Sequence, residues 1–557
     1  MANGRHVLPP PANAEQVFPT LSAEQMARIE PRGRRRRAAA GEVLVAAGQS
    51  HTACFVVLDG EIEVVRPSEI GEDVVTTHQR GHFSGELNLL TGRRGLATIR
   101  AVVDSEVIEL QRDDLLALVQ TDGELSEIFM RAYILRRVAL ISGGLGDVVL
   151  LGSSFNARTL QIREFLSRNA HPHNYVDLDR DDGVQELLDR FHVSLSDVPV
   201  VICRGEVVLR NPTNAGIADC LGFNEEIDAT RIRDVVIIGA GPAGLGAAVY
   251  AASEGLDVLV IESNSPGGQA ASSSRIENYL GFPSGISGQD LASRAFSQAE
   301  KFGAEMMIAK DAVKLHCEKQ PYELEIDDGT RVAARAVMIA TGAEYRSLPV
   351  ENLSRFNGAG VYFGATPMES QLCRDCDVIV VGGGNSAGQA ATFLAQTARR
   401  VLLLVRSDGL AASMSRYLIR RIEQIPSIEV RTNCEIVAVE GGSHLERVRW
   451  IDRKNDREQT DDIRHVFVMT GAVPATRWLE GCVALDEGGF VKTGGDLSRD
   501  ELTAARWPLA RPPHLLETTL PRVFAIGDVR SGNVKRVASA VGEGAIAVAL
   551  VHQVLRE

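Results

Sequence analysis

Positive charge is in short supply. The 557 residues include 59 Lys and Arg against 73 Asp and Glu, a formal net charge of −14. A polyanion gains little from such a surface, which excludes nucleic acid as a main partner. Closely spaced cysteines are missing as well. The eight cysteines are scattered, and only Cys373 and Cys376 stand near each other. That is not the pattern of a disulfide framework, and it points to a reducing, cytoplasmic compartment. No second pair and no His cluster accompanies Cys373 and Cys376, so no metal site is expected. Residues 1–21 lack the apolar run of a signal peptide. The charge-free stretch 235–252 touches membrane-spanning length. It contains Pro242 and several glycines, and it reads as a buried strand running into a helix. No membrane span is expected. The basic run Arg34 to Arg37 reads as a solvated segment. What is present is ordinary: 45% apolar and 24% charged residues, values of soluble globular chains that exclude disorder and fibrous repeats. The length predicts three or four domains.

Short alternating apolar runs dominate the first third. Residues 42–45, 54–58, 61–65 and 107–110 read as strands punctuated by Gly41, Gly48 and Gly60, and residues 112–138 as a helical tail. Gly143, Gly144 and Gly146 form a joint. Residues 147–221 then read β-α-β-α-β-β, with strands at 148–151, 175–178, 198–202 and 206–209. Helices fall at 158–168 and 182–192, and Arg204-Gly205 makes the final hairpin turn. From residue 231 onward strand and helix alternate, which implies parallel sheets.

Two glycine turns carry the chemistry. Val235 to Ile238 is an apolar strand that runs into Gly239-Ala-Gly241-Pro242-Ala243-Gly244, and a later strand, 258–261, ends in Glu262. Gly239 makes the tight turn, Gly241 lets the backbone approach a pyrophosphate, and Gly244 lets helix and strand pack closely. The helix start offers N–H groups to phosphate, and Glu262 is placed to accept ribose hydroxyls. A second copy begins at Val378 to Val381 and reads Gly382-Gly-Gly384-Asn385-Ser386-Ala387. Its following strand, 401–405, ends in Arg406. An acid there would repel a 2′-phosphate, whereas a guanidinium binds one, so the second nucleotide reads as NADP. Arg416 is a second candidate phosphate contact. Thr341-Gly342 ends one strand, and Gly527-Asp528 ends another with a carboxylate able to accept a polyol hydroxyl.

These stretches, with Gly267-Gly268-Gln269 and Glu277-Asn278-Tyr-Leu-Gly-Phe-Pro283, resemble the low-molecular-weight thioredoxin reductase family of flavoproteins. The resemblance implies FAD on the first turn, held also by Gly268, Gln269, Asn278, Thr341, Gly342 and Asp528, and NADPH on the second. It implies that Lys535 and Arg536 lie near the flavin, where the family has an Arg-Gln pair. It implies a homodimer. The family's redox Cys-x-x-Cys falls where this chain reads Tyr362-Phe-Gly-Ala-Thr-Pro367, without cysteine. Cys373-Arg-Asp-Cys376 lies further on, at a strand entry, and is expected to be structural; a redox pair is the alternative.

Residues 41–101 resemble a cyclic-nucleotide-binding barrel. The resemblance puts Glu86, in Phe83-Ser-Gly-Glu86, on the ribose 2′-hydroxyl. The family's phosphate-binding Arg falls on Gly95, with Arg93 and Arg94 just before it. Residues 147–221 resemble a thioredoxin fold, with Val198-Pro199 at its cis-proline and no cysteine in the loop 152–157. The expected fold is therefore α/β, with two Rossmann-like domains of thioredoxin reductase type behind a cyclic-nucleotide-binding-like barrel and a thioredoxin-like domain. The boundaries are 1–140 for the barrel, 141–225 for the thioredoxin-like unit, 226–350 and 480–557 for the FAD domain, and 351–479 for the NADPH domain. The expected activity is hydride transfer from NADPH to FAD and on to an acceptor: a protein disulfide, a quinone, an iron–sulfur protein or oxygen. A cyclic-nucleotide-regulated flavin sensor without significant turnover is the alternative.

Overall fold

A computed structural model describes residues 6–7, 14–49, 52–68, 71–86, 97–142, 148–154, 156–179, 197–203, 207–224, 227–273, 275–365, 367–442 and 444–557. Arg93, Arg94 and Gly95, the glycine joint at 143–146, the helix expected at 182–192 and the turn Arg204-Gly205 lie outside these residues.

The N-terminal barrel closes from two sheets. One runs in the order His6–Val7, Gly71–His78, Ile62–Ser68, Thr98–Ala101, Val43–Val45; the other runs Arg34–Ala38, Ser105–Leu110, Cys54–Asp59, Phe83–Ser84. Side chains alternate along a strand, and the run from Cys54 shows the result. Phe55 and Val57 fill the barrel interior with Ile62, Ile99 and Val107. Cys54 and Val56 face the helices Arg112–Thr121 and Gly123–Ser142 through Leu118, Phe129 and Tyr133. The four arginines from Arg34 are not a loose segment. They form an edge strand antiparallel to Ser105–Leu110, with Arg34, Arg35 and Arg36 paired to Glu109, Glu30 and Glu42. Acidic partners on neighbouring segments turned a charge run into a strand.

The second unit orders His173–Asp177, Val148–Gly152, Val200–Cys203 and Val207–Arg210, one parallel pair followed by two antiparallel pairs. Val198-Pro199 is cis. Asn156 caps the helix Ala157–Arg168. A further helix, Asn214–Leu221, capped by Thr213 and ended by Gly222 at φ 70°, was not anticipated.

This unit is not a separate bead. Ile162, Phe165, Leu166, Ile217 and Leu221 share one apolar core with Val235, Ile237, Leu245 and Ala248. Leu245 and Ala248 lie on the helix Pro242–Ser253, and Val235 and Ile237 belong to a seven-stranded sheet ordered Glu305–Ile308, Val258–Glu262, Arg233–Ile238, Arg331–Ile339, Tyr322–Ile326, Ala312–His316, with Val523–Ala525 also on Arg331–Ile339. Its parallel strands are buried on both faces, which is why they read as unbroken apolar runs. The crossover strands Ala343–Tyr345 and Ala472–Pro474 pair antiparallel. They lead to and from a five-stranded parallel sheet: Val361–Tyr362, His465–Val468, Asp377–Val381, Arg400–Val405, Ile428–Thr432. The antiparallel sheet Cys434–Gly441, Leu445–Asp452, Arg457–Asp461 lies between its last two strands in the chain.

The C-terminal helix Val537–Val554 is, among the described residues, the one helix long and apolar enough to cross a membrane, with mean hydropathy 1.5. Here it packs on Pro242–Ser253. A Cβ on Gly544 would stand 2.7 Å from the carbonyl oxygen of Ala243, and Ala547, Val548 and Val551 are fully buried.

The helix Gly123–Ser142 joins three units within one turn. Arg136 donates to Glu86 Oε1 at 2.7 Å and to the carbonyls of Val17 and Phe83. Arg137 donates to the carbonyls of Ala170 and Asn169 in the second unit and to Tyr133 Oη. Tyr133 donates to Glu300, on the helix Gly288–Lys301 beside the large sheet. Glu86 is 0% exposed, so removing Arg136 strands a buried charge, which costs about 3–5 kcal/mol. Arg136→Met is expected to lower the urea midpoint and to speed amide exchange in Cys54–Asp59 and Ser105–Leu110. Glu86→Leu added to it should recover most of the loss. An unchanged midpoint in the single variant refutes the ion pair's structural role.

Candidate functional site

The first glycine turn is built by close backbone packing. Gly239 has φ 102°, and a Cβ there would stand 2.4 Å from the carbonyl oxygen of Ala340. A Cβ on Gly244 would stand 1.8 Å from the carbonyl oxygen of Gly239. The helix Pro242–Ser253 starts with Gly241 as its N-cap and proline at its first position, where the missing N–H costs nothing. Gly241 is open: the nearest atom to a Cβ there is Gly268 Cα at 4.0 Å. Open glycine backbone at a helix N-terminus is a cradle for a phosphate group.

The remaining site segments converge on this turn. Gly268 begins the 3₁₀ turn Gly268–Ser272, and a Cβ on it would approach Gly241 Cα to 3.0 Å. Gln269 donates to the carbonyl of Ala343 at 3.2 Å. Thr341 donates to the carbonyl of Ala475 at 2.9 Å, and Gly342 has φ 65° with open space around it. Gly527 stands against Ala243, where a Cβ would reach the Ala243 Cβ at 2.8 Å. The following Asp528 is half-buried; burial pushes its carboxyl above the usual range, and Lys535 opposes the shift. Lys535 lies over the Phe490 ring at 4.6 Å. These groups collect beyond the C-terminal ends of the parallel strands, where open α/β sheets bind ligands.

Three further residues of the sequence reading have surroundings that sequence does not show. Glu262 is occupied with its own turn: Oε2 accepts from Ala240 N–H at 2.7 Å and Oε1 from Asn264 N–H at 3.0 Å. Burial raises its pKa and those N–H groups oppose the rise. Carboxylate oxygens accept more than one hydrogen bond, so ribose hydroxyls can join them. Asn278 stands exposed in the loop closed by the Ile276–Ile286 bridge. Arg536 is the N-cap residue of the C-terminal helix.

The second turn repeats the design. Gly382 has φ 143°, and a Cβ there would stand 2.4 Å from the carbonyl oxygen of Met469. Gly384 caps the helix Asn385–Leu394. Asn385 Oδ1 accepts from Ser415 N–H at 2.8 Å, and Ser413 donates to the carbonyl of Gly383 at 2.8 Å. These bonds bring the start of the helix Arg416–Glu423 to the turn. Arg416 is its first residue, Arg406 leaves the strand end beside it, and both are exposed, as is Ser386. Two arginines thus leave elements whose ends meet at the glycine turn. Glu277, beside the first turn's loop, takes Tyr417 and Arg421 of the same helix at 3.2 and 3.1 Å.

The cysteines near the second turn point away from this chemistry. Cys373 is 0% exposed in the core with Val378 and Ala398, and burial pushes its thiol up to about 12. It is not bonded to Cys376. In contrast, a Cβ on Gly364 would stand 3.2 Å from Ser272 Cβ, at the end of the Gly268–Ser272 turn. The segment that touches the first site is thus the one without sulfur. Among the described residues no group of His, Cys, Asp and Glu could hold a metal ion. The reading of the scattered cysteines needs one correction: Cys317 and Cys482 form a disulfide, 165 residues apart, with Cα atoms 6.0 Å from each other. The fold brings together two positions that spacing along the chain does not connect.

Comparison with known proteins matches this geometry. Residues 233–544 match the pyridine nucleotide-disulphide oxidoreductase model, and residues 35–122 match the cyclic nucleotide-binding domain. The thioredoxin reductase of Mycolicibacterium smegmatis is 36% identical over 317 residues, 57% of this chain and 94% of that protein. That of Listeria innocua is 32% identical over 318 residues, covering 57% and 92%. Among solved structures, Lactococcus lactis thioredoxin reductase superposes with a TM-score of 0.52 at 25% identity, covering 58% of this chain and all of that one. T. acidophilum thioredoxin reductase superposes equally well at 28% identity, covering 59% and 100%. The chain therefore belongs to the pyridine nucleotide-disulphide oxidoreductase family. It is an NAD(P)H-dependent flavoprotein oxidoreductase with the thioredoxin reductase fold, carrying a cyclic-nucleotide-binding-type domain in front. The family implies FAD and NADPH, and the open cradle at Gly241, the half-buried acid Asp528 and the exposed Arg406 and Arg416 are compatible with those two groups.

Gly244→Ala is expected to displace the helix Pro242–Ser253 and yield protein without bound flavin, read from the visible absorbance of the purified chain. Gly542→Ala, at a helical glycine with open space around it, should leave the flavin content as it was. Retained flavin in Gly244→Ala would show that this contact is not needed.

Proposed function

We propose that the chain oxidises NADPH through bound FAD and passes electrons from the flavin directly to an acceptor, without a cysteine pair. The observation that supports this most is the segment Tyr362 to Pro367: it stands where the family has its redox pair, packs on the Gly268–Ser272 turn through Gly364, and holds no thiol. Bound FAD supplies an acceptor for hydride and a donor of electrons. Gly241 and the helix N-terminus cradle its pyrophosphate, Glu262 takes ribose hydroxyls, and Asp528 accepts a hydroxyl of the ribityl chain. Arg406 and Arg416 hold the 2′-phosphate of NADPH. A quinone, an iron–sulfur protein or oxygen suits direct electron exit better than a protein disulfide. The complete second turn favours turnover over a purely sensing flavin. A cyclic nucleotide remains the ligand class for the barrel, although Glu86 already spends one carboxylate oxygen on Arg136.

The same reading takes 1–140, 141–225, 226–350 with 480–557, and 351–479 as the working units of a cytoplasmic homodimer. Its test is anaerobic bleaching of the flavin by NADPH, followed by a screen of acceptors for fast reoxidation. A flavin that NADPH does not bleach sinks it.

Arg406→Ala should weaken NADPH more than NADH, because only NADPH carries the 2′-phosphate. Loss of one charge-assisted bond costs on the order of 1.5–3 kcal/mol, roughly tenfold or more in KM. Equal effects on both nucleotides would remove Arg406 from the phosphate site.

The double change Cys373→Ser with Cys376→Ser should leave NADPH oxidation by a quinone unchanged. In the native protein at pH 8, far below about 12, iodoacetamide should modify Cys376 well before Cys373. Disulfide reductase activity that disappears in the double variant would make the pair catalytic.

A further inference from the structure

Cys317 follows the strand Ala312–His316, and Cys482 follows the 3₁₀ turn Arg477–Leu479. Both are half-buried, at the margin of an apolar core. The loop it closes contains the whole five-stranded sheet and both crossover strands. Its Cα spacing of 6.0 Å needs no backbone movement. The pinned segment is the one that holds the first site from the other side. Ala475 donates its N–H to the carbonyl of Gly342 at 3.3 Å. Its carbonyl accepts from Thr341 Oγ1 at 2.9 Å and from Trp478 Nε1 at 3.2 Å. Leu479 is 0% exposed, and Cys482 N–H donates to its carbonyl at 3.0 Å. Seven residues therefore separate a covalent anchor from the two hydrogen bonds that clasp Thr341 and Gly342.

We propose that Cys317–Cys482 is a reversible redox staple on this clasp, opened by a dithiol reductant. A thiolate of the reductant attacks one Sγ, the S–S bond breaks, and a mixed disulfide forms. The second thiol of the reductant then attacks the mixed disulfide and expels the remaining cysteine. Two electrons and two protons end on Cys317 and Cys482, and the reductant leaves as its own disulfide. Access for the attacking thiolate decides whether a disulfide can be opened in the folded chain. With the staple open, residues 475–482 keep only non-covalent contacts, and the Thr341–Gly342 side of the flavin site loosens. The effect on flavin rests on the FAD reading above, whereas the staple itself does not.

The experiment is a thiol count on the full chain, denatured with an alkylating reagent and read by intact mass. Without reductant, six of the eight cysteines should label, with Cys317 and Cys482 recovered as one cross-linked peptide. After dithiothreitol, all eight should label. Eight labels without reductant overturn the proposal, and so does opening by NADPH alone, which would put the pair on the hydride route. The second readout is flavin release from the holoenzyme. The dithiothreitol-treated wild type and Cys317→Ser with Cys482→Ser should release flavin several-fold faster than the oxidised wild type. Dithiothreitol should add nothing in the double variant. If that variant does not fold, the treated wild type carries the same comparison. Equal release from oxidised and reduced wild type overturns the switch, while a missing flavin with an intact six-to-eight thiol shift faults the FAD reading alone.

Discussion

A carbon atom on Gly244 would stand 1.8 Å from the carbonyl oxygen of Gly239. No L side chain fits that gap, so the helix Pro242–Ser253 can lie this close to the strand Arg233–Ile238 only with glycine there. Much of the site follows from that closeness. It brings the helix N-terminus and the open Gly241 to the strand ends. It brings Ala243 against Gly527, which positions Asp528, and Ala243 and Ala247 against Gly544, which fixes the C-terminal helix. The second turn repeats the approach that Gly239 makes to the Ala340 carbonyl, through Gly382 and the Met469 carbonyl, while Ala387 stands in the place of Gly244. Two sheets with unrelated surroundings arrive at one geometry because backbone must meet backbone before a phosphate can meet either.

The appended units are held to this centre by two unlike means. The thioredoxin-like unit shares apolar core: Phe165 and Leu166 pack with the residues that back the first turn. Such packing is non-directional and strong, and it suits a permanent junction. The barrel is tied instead through Tyr133, Arg136 and Arg137 on one helical turn, by hydrogen bonds and an ion pair. Polar ties are directional and depend on geometry.

What could be read from the sequence was local. Both glycine turns, Asp528, the thiol-free stretch 362–367 and the cis proline are spelled by adjacent residues, and the glycine turns and the cis proline stand in the structure with the expected backbone. What escaped was non-local or shared. Arg34 to Arg37 are solvated as read, but their pairing as an edge strand with Glu30, Glu42 and Glu109 close by depends on other segments. The bond from Arg136 to Glu86 joins residues 50 positions apart. The bond from the Ala240 amide to Glu262 could not be read either, since backbone donors leave no trace in sequence. Cys317 and Cys482 showed no pattern at all, for only the return of the chain through the crossover strands brings them together.

The same contrast bears on electron exit. Gly364 approaches Ser272 closely, so this part of the segment packs against the turn Gly268–Ser272 of the first site. Proximity is thus retained while the thiols are absent. On the reading proposed above, Cys373 and Cys376 do not replace them: the short helix Pro367–Leu372 leads Cys373 into the core behind the second sheet. Burial raises that thiol's pKa, and a protonated thiol is a poor nucleophile. A reductase of that design would keep the hydride-accepting half of the family's chemistry. It would leave the donating half to whatever can approach the flavin itself, and that favours a small or exposed acceptor centre over a disulfide that needs a thiolate partner.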